Sequence, residues 1–185
     1  MPAILSFADL ARAGRHDLSP PVRIGGFAAG YLVAWFGFGV LATGAQWILA
    51  RLAAQTVAFA GESSLVAGGV LLLAGFYQFS RLKDLCLTEC RSPMMFFLAR
   101  WRDGLSGALH LGLRHGIHCV GCCWALMALM LLAGAMNIGW MAALTAVMLI
   151  EKTFSAGRAI GRAVGLVLVL CGGTLVGAAL IKGDL

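Results

Sequence analysis

Residues 159–181 read AIGRAVGLVLVLCGGTLVGAALI, with Arg162 as the one charge in the run. About 20 apolar residues in a helix cross the hydrocarbon core of a bilayer. A run this long and this apolar has little place in a small soluble domain, so it reads as a membrane span. Working outward, residues 24–50, 64–79 and 117–135 read the same way. A fifth segment, 137–154, is shorter in its purely apolar part and ends in Glu151 and Lys152. It is set off from the third by the turn GAMNIG at 134–139. Between 81 and 117 the chain is more polar. It holds RLKDLCLTECRSP and an amphipathic piece around Met94 to Trp101, which suits an interfacial or re-entrant segment. The expectation is an all-α membrane protein: a polytopic bundle of about five transmembrane helices forming one integral membrane domain over 1–185.

Composition agrees. The chain is 61% hydrophobic and 12% charged, with 25 glycines, whereas soluble domains carry about twice that charge. The period-two alternation of a barrel is absent. The first apolar run is too long for a secretory signal and lacks a small-residue cleavage site. With the N-terminus in the cytoplasm, all 14 Lys and Arg fall on the cytoplasmic side except Arg51 and Lys182. That is a strong positive-inside bias, as in a multi-pass membrane protein. The net charge of +6 then expresses topology and an affinity for anionic headgroups. No basic helix is interleaved with aromatics, so nucleic acid is not an expected partner.

The chemistry concentrates in HGIHCVGCCWALM, His115 to Met127. At about 100° per residue, with His115 at zero, Cys119 falls near +40°, Cys122 near −20°, His118 near −60° and Cys123 near +80°. All five share one helix face, at the mouth of an expected span. Thiolates with imidazoles suit a soft ion, copper as Cu(I) or zinc. Cys86 and Cys90, in CLTEC, share a face if that piece is helical, and the two groups together complete a coordination shell that neither fills alone. Arg114, Lys83 and Arg91 are expected to lower the thiol pKa values. In this orientation the five cysteines lie in the reducing compartment. Cys171, alone in the last span, reads as a small buried hydrophobe, and Met127 and Met130 as packing.

Glu151 requires a partner, since a carboxylate at a membrane edge is costly. In a hairpin about Met136 it comes to the depth of Cys122. It is then either paired with Lys152, Arg158 or Arg114, or a ligand or acceptor for a ligating histidine. Gly157, Gly161, Gly165, Gly173 and Gly177, and in the first span Gly26 and Gly30, form small-residue ridges for internal packing, for a homodimer or for a membrane-protein partner.

YQFSRLKDLCLTECRSP, GLRHGIHCVGCCWALM, MNIGWMA and LIEKTF together resemble a bacterial domain-of-unknown-function family of predicted metal-binding integral membrane proteins. The resemblance covers about residues 30–165. It implies a multi-span inner-membrane protein with a Cys/His site at Cys86, Cys90, His115, Cys119, Cys122, Cys123 and Glu151. His118 joins that set by its place on the helix face. Family members carry a further N-terminal span ending in a Met-rich segment before a proline, and this chain opens MPAILSF, as though inside that segment.

Three readings follow. The first is a membrane-embedded soft-metal binder, copper foremost, acting in metal handling, delivery or assembly. Polar groups through the core are few (Thr43, Gln46, Gln78, Asn137, Thr145, Thr174), which favours a chaperone over a transporter. The second is a membrane thiol–disulfide oxidoreductase working with a quinone. The third is an accessory structural subunit of a larger membrane complex. The sequence has no phosphate-cradling loop, no Ser-His-Asp arrangement and no CxxCH haem motif, so a binding protein is favoured over an enzyme.

Overall fold

The computed structural model describes residues 2–13, 19–55, 62–129, 138–154 and 156–181. Met130, Asn137 and most of the expected turn at 134–139 lie outside the described residues, as do His16 and Lys182. The described elements are all α-helices: α1 Pro2–Ala13, α2 Pro20–Gln55, α3 Glu62–Gln78, α4 Arg81–Arg91, α5 Pro93–Arg100, α6 Gly104–Ala128, α7 Ile138–Thr153 and α8 Gly157–Ile181. Prolines open α2 and α5, where a missing N–H costs nothing. Ser80 opens α4, its Oγ accepting from the Lys83 backbone N–H at 3.1 Å.

Among the described residues, two segments are long and apolar enough to cross a membrane, Pro20–Ile48 and Gly157–Ile181. A third qualifies when Leu65–Gln78 and Arg81–Arg91 are taken as one broken span. This is fewer than the five expected, for two reasons. α7 has 16 described residues, and the expected third and fourth spans meet in 130–137, outside the described residues. α6 has 25, but His110, Arg114, His115 and His118 dilute its apolar character. α4 carries Arg81, Lys83, Asp84, Glu89 and Arg91, a composition for an interface rather than an apolar layer.

The chain falls into two compact units, Met1–Val40 with Leu85–Cys122 and Leu41–Asp84 with Cys123–Leu185. The first is built on an aromatic core of Phe7, Phe27, Phe96 and Phe97 with Ala11, Ala108 and Leu111. Phe7 stacks on Phe27 at 4.5 Å, and Phe97 meets both edge-on at 5.6 and 5.3 Å. Such pairs contribute about 0.5–1.5 kcal/mol each beyond their burial. Glycines let α2 and α6 touch backbone to backbone: a Cβ on Gly30 would strike the Leu109 carbonyl, and one on Gly112 the Phe27 carbonyl. Gly26 and Gly30 are thus spent on packing within this unit.

In the second unit α3 and α8 interlock through Gly68 against Gly172 and Gly75 against Gly165, each added Cβ falling 2.9–3.1 Å from the opposing carbonyl oxygen. The expected ridge on α8 holds at Gly157, Gly161 and Gly165, all buried. It continues through Gly172, not Gly173 and Gly177, whose Cβ positions meet nothing within 4 Å. Each four-residue step turns the helix about 40° past a full circle, so a strict four-step ridge leaves the packed face, and a seven-residue step returns to it. Cys171, expected buried, is exposed; it lies just before the packed Gly172 and faces away from it.

Candidate metal centre

α6 begins at Gly104, whose φ of +85° makes the turn out of α5. The cysteines and histidines therefore lie well inside a helix rather than at its mouth. The face expected from their spacing forms: His115, Cys119 and Cys122 are all buried, His115 and Cys122 to 2% exposure. α4 is helical, as CLTEC required, and brings Cys90 onto that face.

Cys90 Sγ lies 3.3 Å from Cys119 Sγ and 3.9 Å from Cys122 Sγ, and Cys119 Sγ lies 3.8 Å from His115 Nε2. A soft ion with metal–sulfur bonds of about 2.3 Å in tetrahedral geometry holds its sulfurs about 3.8 Å apart. One sulfur pair is at that spacing and one is tighter. None of the six cysteines is in a disulfide. Cys122 Sγ is turned to its own helix, donating to the Cys119 carbonyl at 3.1 Å. Among the described residues no group of three or more His, Cys, Asp or Glu is laid out to hold an ion as it stands. The thiols bond to one another and to backbone, and taking an ion requires rotating Cys122 and parting Cys90 from Cys119.

Apart from the Cys119 thiol at Nε2, His115 is held by aromatic rings. Its imidazole sits 5.4 Å from Phe96, 5.7 Å from Phe97, 6.1 Å from Phe27 and 6.2 Å from Tyr31. Nδ1 is buried without a hydrogen-bond partner, a state that costs about 1–3 kcal/mol. Three soft donors beside an imidazole held this way match the needs of a thiophilic ion. This aromatic box was not legible in the sequence, because Phe96 and Phe97 read there as the apolar side of an interfacial piece.

The remaining expected ligands are placed differently. Cys86 is half-buried beside Gly121, where an added Cβ would lie 2.8 Å from its sulfur. His118 is half-exposed, its Nδ1 2.7 Å from the Arg114 carbonyl and its ring 5.7 Å from Phe96. Cys123 is buried but belongs to the second unit. Glu151 also belongs to the second unit, where Lys83 takes its carboxylate at 2.9 and 2.8 Å. The need for a partner is met by Lys83, which was not among the expected cations. Lys83 also donates to Gln78 Oε1, so it is committed and does not serve the thiols.

The Cys86 and Cys90 thiols are accordingly not acidified as expected. Burial first, then the nearby Cys122 and Cys119 sulfurs and Glu89, raise the Cys86 thiol above the ordinary 9.0. Hydrogen bonds to Cys119 and Cys122, followed by burial, raise Cys90 further. Without an ion Cys86 and Cys90 hold their protons at neutral pH.

Residues 1–175 match the model of the PpoB2 family, described as a copper chaperone. No curated protein and no solved structure matches the chain. A buried thiol cluster with an adjacent imidazole, in a chain matched over nearly its whole length, makes this protein a member of the PpoB2 copper chaperone family.

Proposed function

We propose that the chain is a membrane-embedded, multi-pass copper chaperone that carries Cu(I) as cargo on Cys90, Cys119, Cys122 and His115. The observation that carries this reading is the convergence of three sulfurs from two helices, with Cys90 Sγ within 3.9 Å of both others. Cu(I) favours thiolate and imidazole donors. Binding displaces the thiol protons, and the apolar box of Phe27, Phe96 and Phe97 excludes water from the imidazole side. Half-exposed Cys86 is the sulfur best placed to meet an incoming or departing ion. Glu151 is left out of the ligand set, because Lys83 already neutralises it.

The test is copper content after anaerobic purification in detergent, measured by inductively coupled plasma mass spectrometry. Near-stoichiometric copper that is lost in Cys90→Ser/Cys119→Ser supports the reading, and equal copper in both proteins sinks it. The 3.3 Å approach of Cys90 and Cys119 favours one second reading, a thiol–disulfide oxidoreductase. A metal-free protein whose Cys90 and Cys119 cycle through a disulfide with a quinone, read by thiol-labelling mass spectrometry, would replace the first reading with that one.

A further inference from the structure

Away from the cysteines, the corner where α5 passes into α6 gathers more cations than anions. A cavity of about 240 Å³ there is lined by Arg100, Trp101, Arg102, His110, Leu111 and Arg114. No acidic side chain lines it. Arg100 is partly neutralised, its guanidinium donating to both Glu89 oxygens at 3.0 and 3.1 Å. Among the described residues, Arg102 and Arg114 make no ion pair.

The charge behind the cavity is only weakly compensated. Arg23 is 1% exposed and lies over the Trp101 ring at 4.6 Å. Its nearest carboxylate, Asp103, is 3.6 Å from NH2 and 61% exposed, and its Nε and NH1 have no hydrogen-bond partner. A buried cation this poorly matched adds to the positive potential of the corner, and the N-terminus of α6 adds to it.

The corner is rigid. Gly104 makes the turn with its positive φ, and the Arg102 carbonyl presses so closely on Gly107 that a Cβ there has no room. Arg102 is therefore held against the first turns of α6, beside His110. A second hollow, of about 420 Å³, shares Arg102 and His110 and is lined besides by Asp103, Ser106, Gly107, Leu109 and Leu113; Asp103 is already drawn to Arg23 and to the Trp101 indole N–H. A cationic hollow beside one that offers two leucines fits a molecule with an anionic head and an apolar remainder.

We infer that this corner binds a phosphate-bearing anion through Arg100, Arg102, His110 and Arg114. The arginine forks recognise the phosphate oxygens by paired N–H donors, and Leu109 and Leu113 receive whatever apolar part follows. The phosphate comes either from the headgroup of an anionic phospholipid or from a soluble phosphate, and the two sources separate experimentally.

The test uses the full chain in nonionic detergent, titrated with phosphatidylglycerol or phosphatidylcholine and followed by native mass spectrometry, with and without millimolar inorganic phosphate. Arg102→Gln/Arg114→Gln and the single Arg102→Gln are compared with a control pair elsewhere, Arg12→Gln/Arg81→Gln. The expected result is retention of phosphatidylglycerol over phosphatidylcholine that falls roughly tenfold in the pocket double variant, less in the single, and not in the control. Displacement by inorganic phosphate assigns the site to soluble phosphate, and resistance to it assigns the site to the headgroup. Retained copper stoichiometry separates a lost site from a lost fold, and the single variant, at an exposed position, decides the case if the double fails to fold. Equal retention of both lipids without phosphate binding, or an equal fall in the control pair, overturns the inference.

Discussion

Lys83 Nζ lies within 2.9 Å of both carboxylate oxygens of Glu151, across 68 positions of chain. Both groups are nearly inaccessible to solvent. A buried pair of this kind adds little net stability over apolar residues of similar size, but removing one partner strands a buried charge at a cost of about 3–5 kcal/mol. We therefore predict that Lys83→Met and Glu151→Leu each lower the denaturation midpoint sharply, and that the double variant recovers most of the loss. Thermal or denaturant unfolding in detergent reads this out; additive losses in the double variant would contradict it.

The glycines of α8 divide into packed and open positions. At Gly161 an added Cβ would sit 2.7 Å from Glu151 Oε1 and 3.6 Å from Lys83 Nζ. Gly161→Ala should then destabilise by about 1–3 kcal/mol, as overpacking does. Gly173→Ala meets nothing within 4 Å and should be neutral or stabilising by up to about 1 kcal/mol from helix propensity. A matched pair of unfolding curves decides it.

The two histidines should separate in copper affinity. His115 is buried, with Nε2 facing the Cys119 sulfur at 3.8 Å, while His118 is half-exposed and engaged with its own helix at 2.7 Å. His115→Ala is expected to weaken Cu(I) binding on the order of tenfold or more, and His118→Ala to leave it nearly unchanged. Competition against a chromophoric Cu(I) chelator measures both. Equal losses would place His118 in the coordination shell.

Proton linkage gives a pH signature. Thiols held above the ordinary 9.0 in the fold stay protonated where those of the unfolded chain ionise. The unfolded state then binds fewer protons, so the metal-free fold is unaffected below about pH 8 and loses stability as pH rises past the unfolded thiol value. Copper binding should release protons and tighten with rising pH. Unfolding midpoints between neutral and alkaline pH, and proton release in weak buffer, check the two halves.

Gly121→Ala probes the neighbourhood of Cys86, whose sulfur a Cβ would approach to 2.8 Å. We expect slower copper loading with unchanged stoichiometry, followed by stopped-flow transfer from a Cu(I) donor complex. Unchanged loading would mean that Cys86 does not meet the ion on its way in.

What was legible in the sequence was what depends on local geometry. Helical spacing alone set His115, Cys119 and Cys122 on one face, because a helix's angular step is the same wherever it occurs. The carboxylate's need for a cation followed from the cost of burying charge. The identity of that cation did not, because Lys83 reaches Glu151 only through the packing of α3, α7 and α8. The start of α6 at Gly104 was equally hidden: the helical spacing carried back as far as His110, but the polar run before it looked like an interface, and no local signal sets the boundary at Gly104. Gly172 entered the ridge in place of Gly173 because a repeat of four residues drifts from a helix face that a repeat of seven keeps.

The donor set is split between two helices: Cys119 and Cys122 ride on α6, Cys90 on α4. Sliding one helix along the other leaves the spacing within α6 unchanged but alters the reach from Cys90 to both. The off-rate of a bound ion is then set by a mechanical coordinate rather than by bond strength alone. In the proposed copper site, a helix movement that drew α4 aside would remove one sulfur from the ion and open the associative ligand exchange by which thiolate sites pass on their ions without setting them loose.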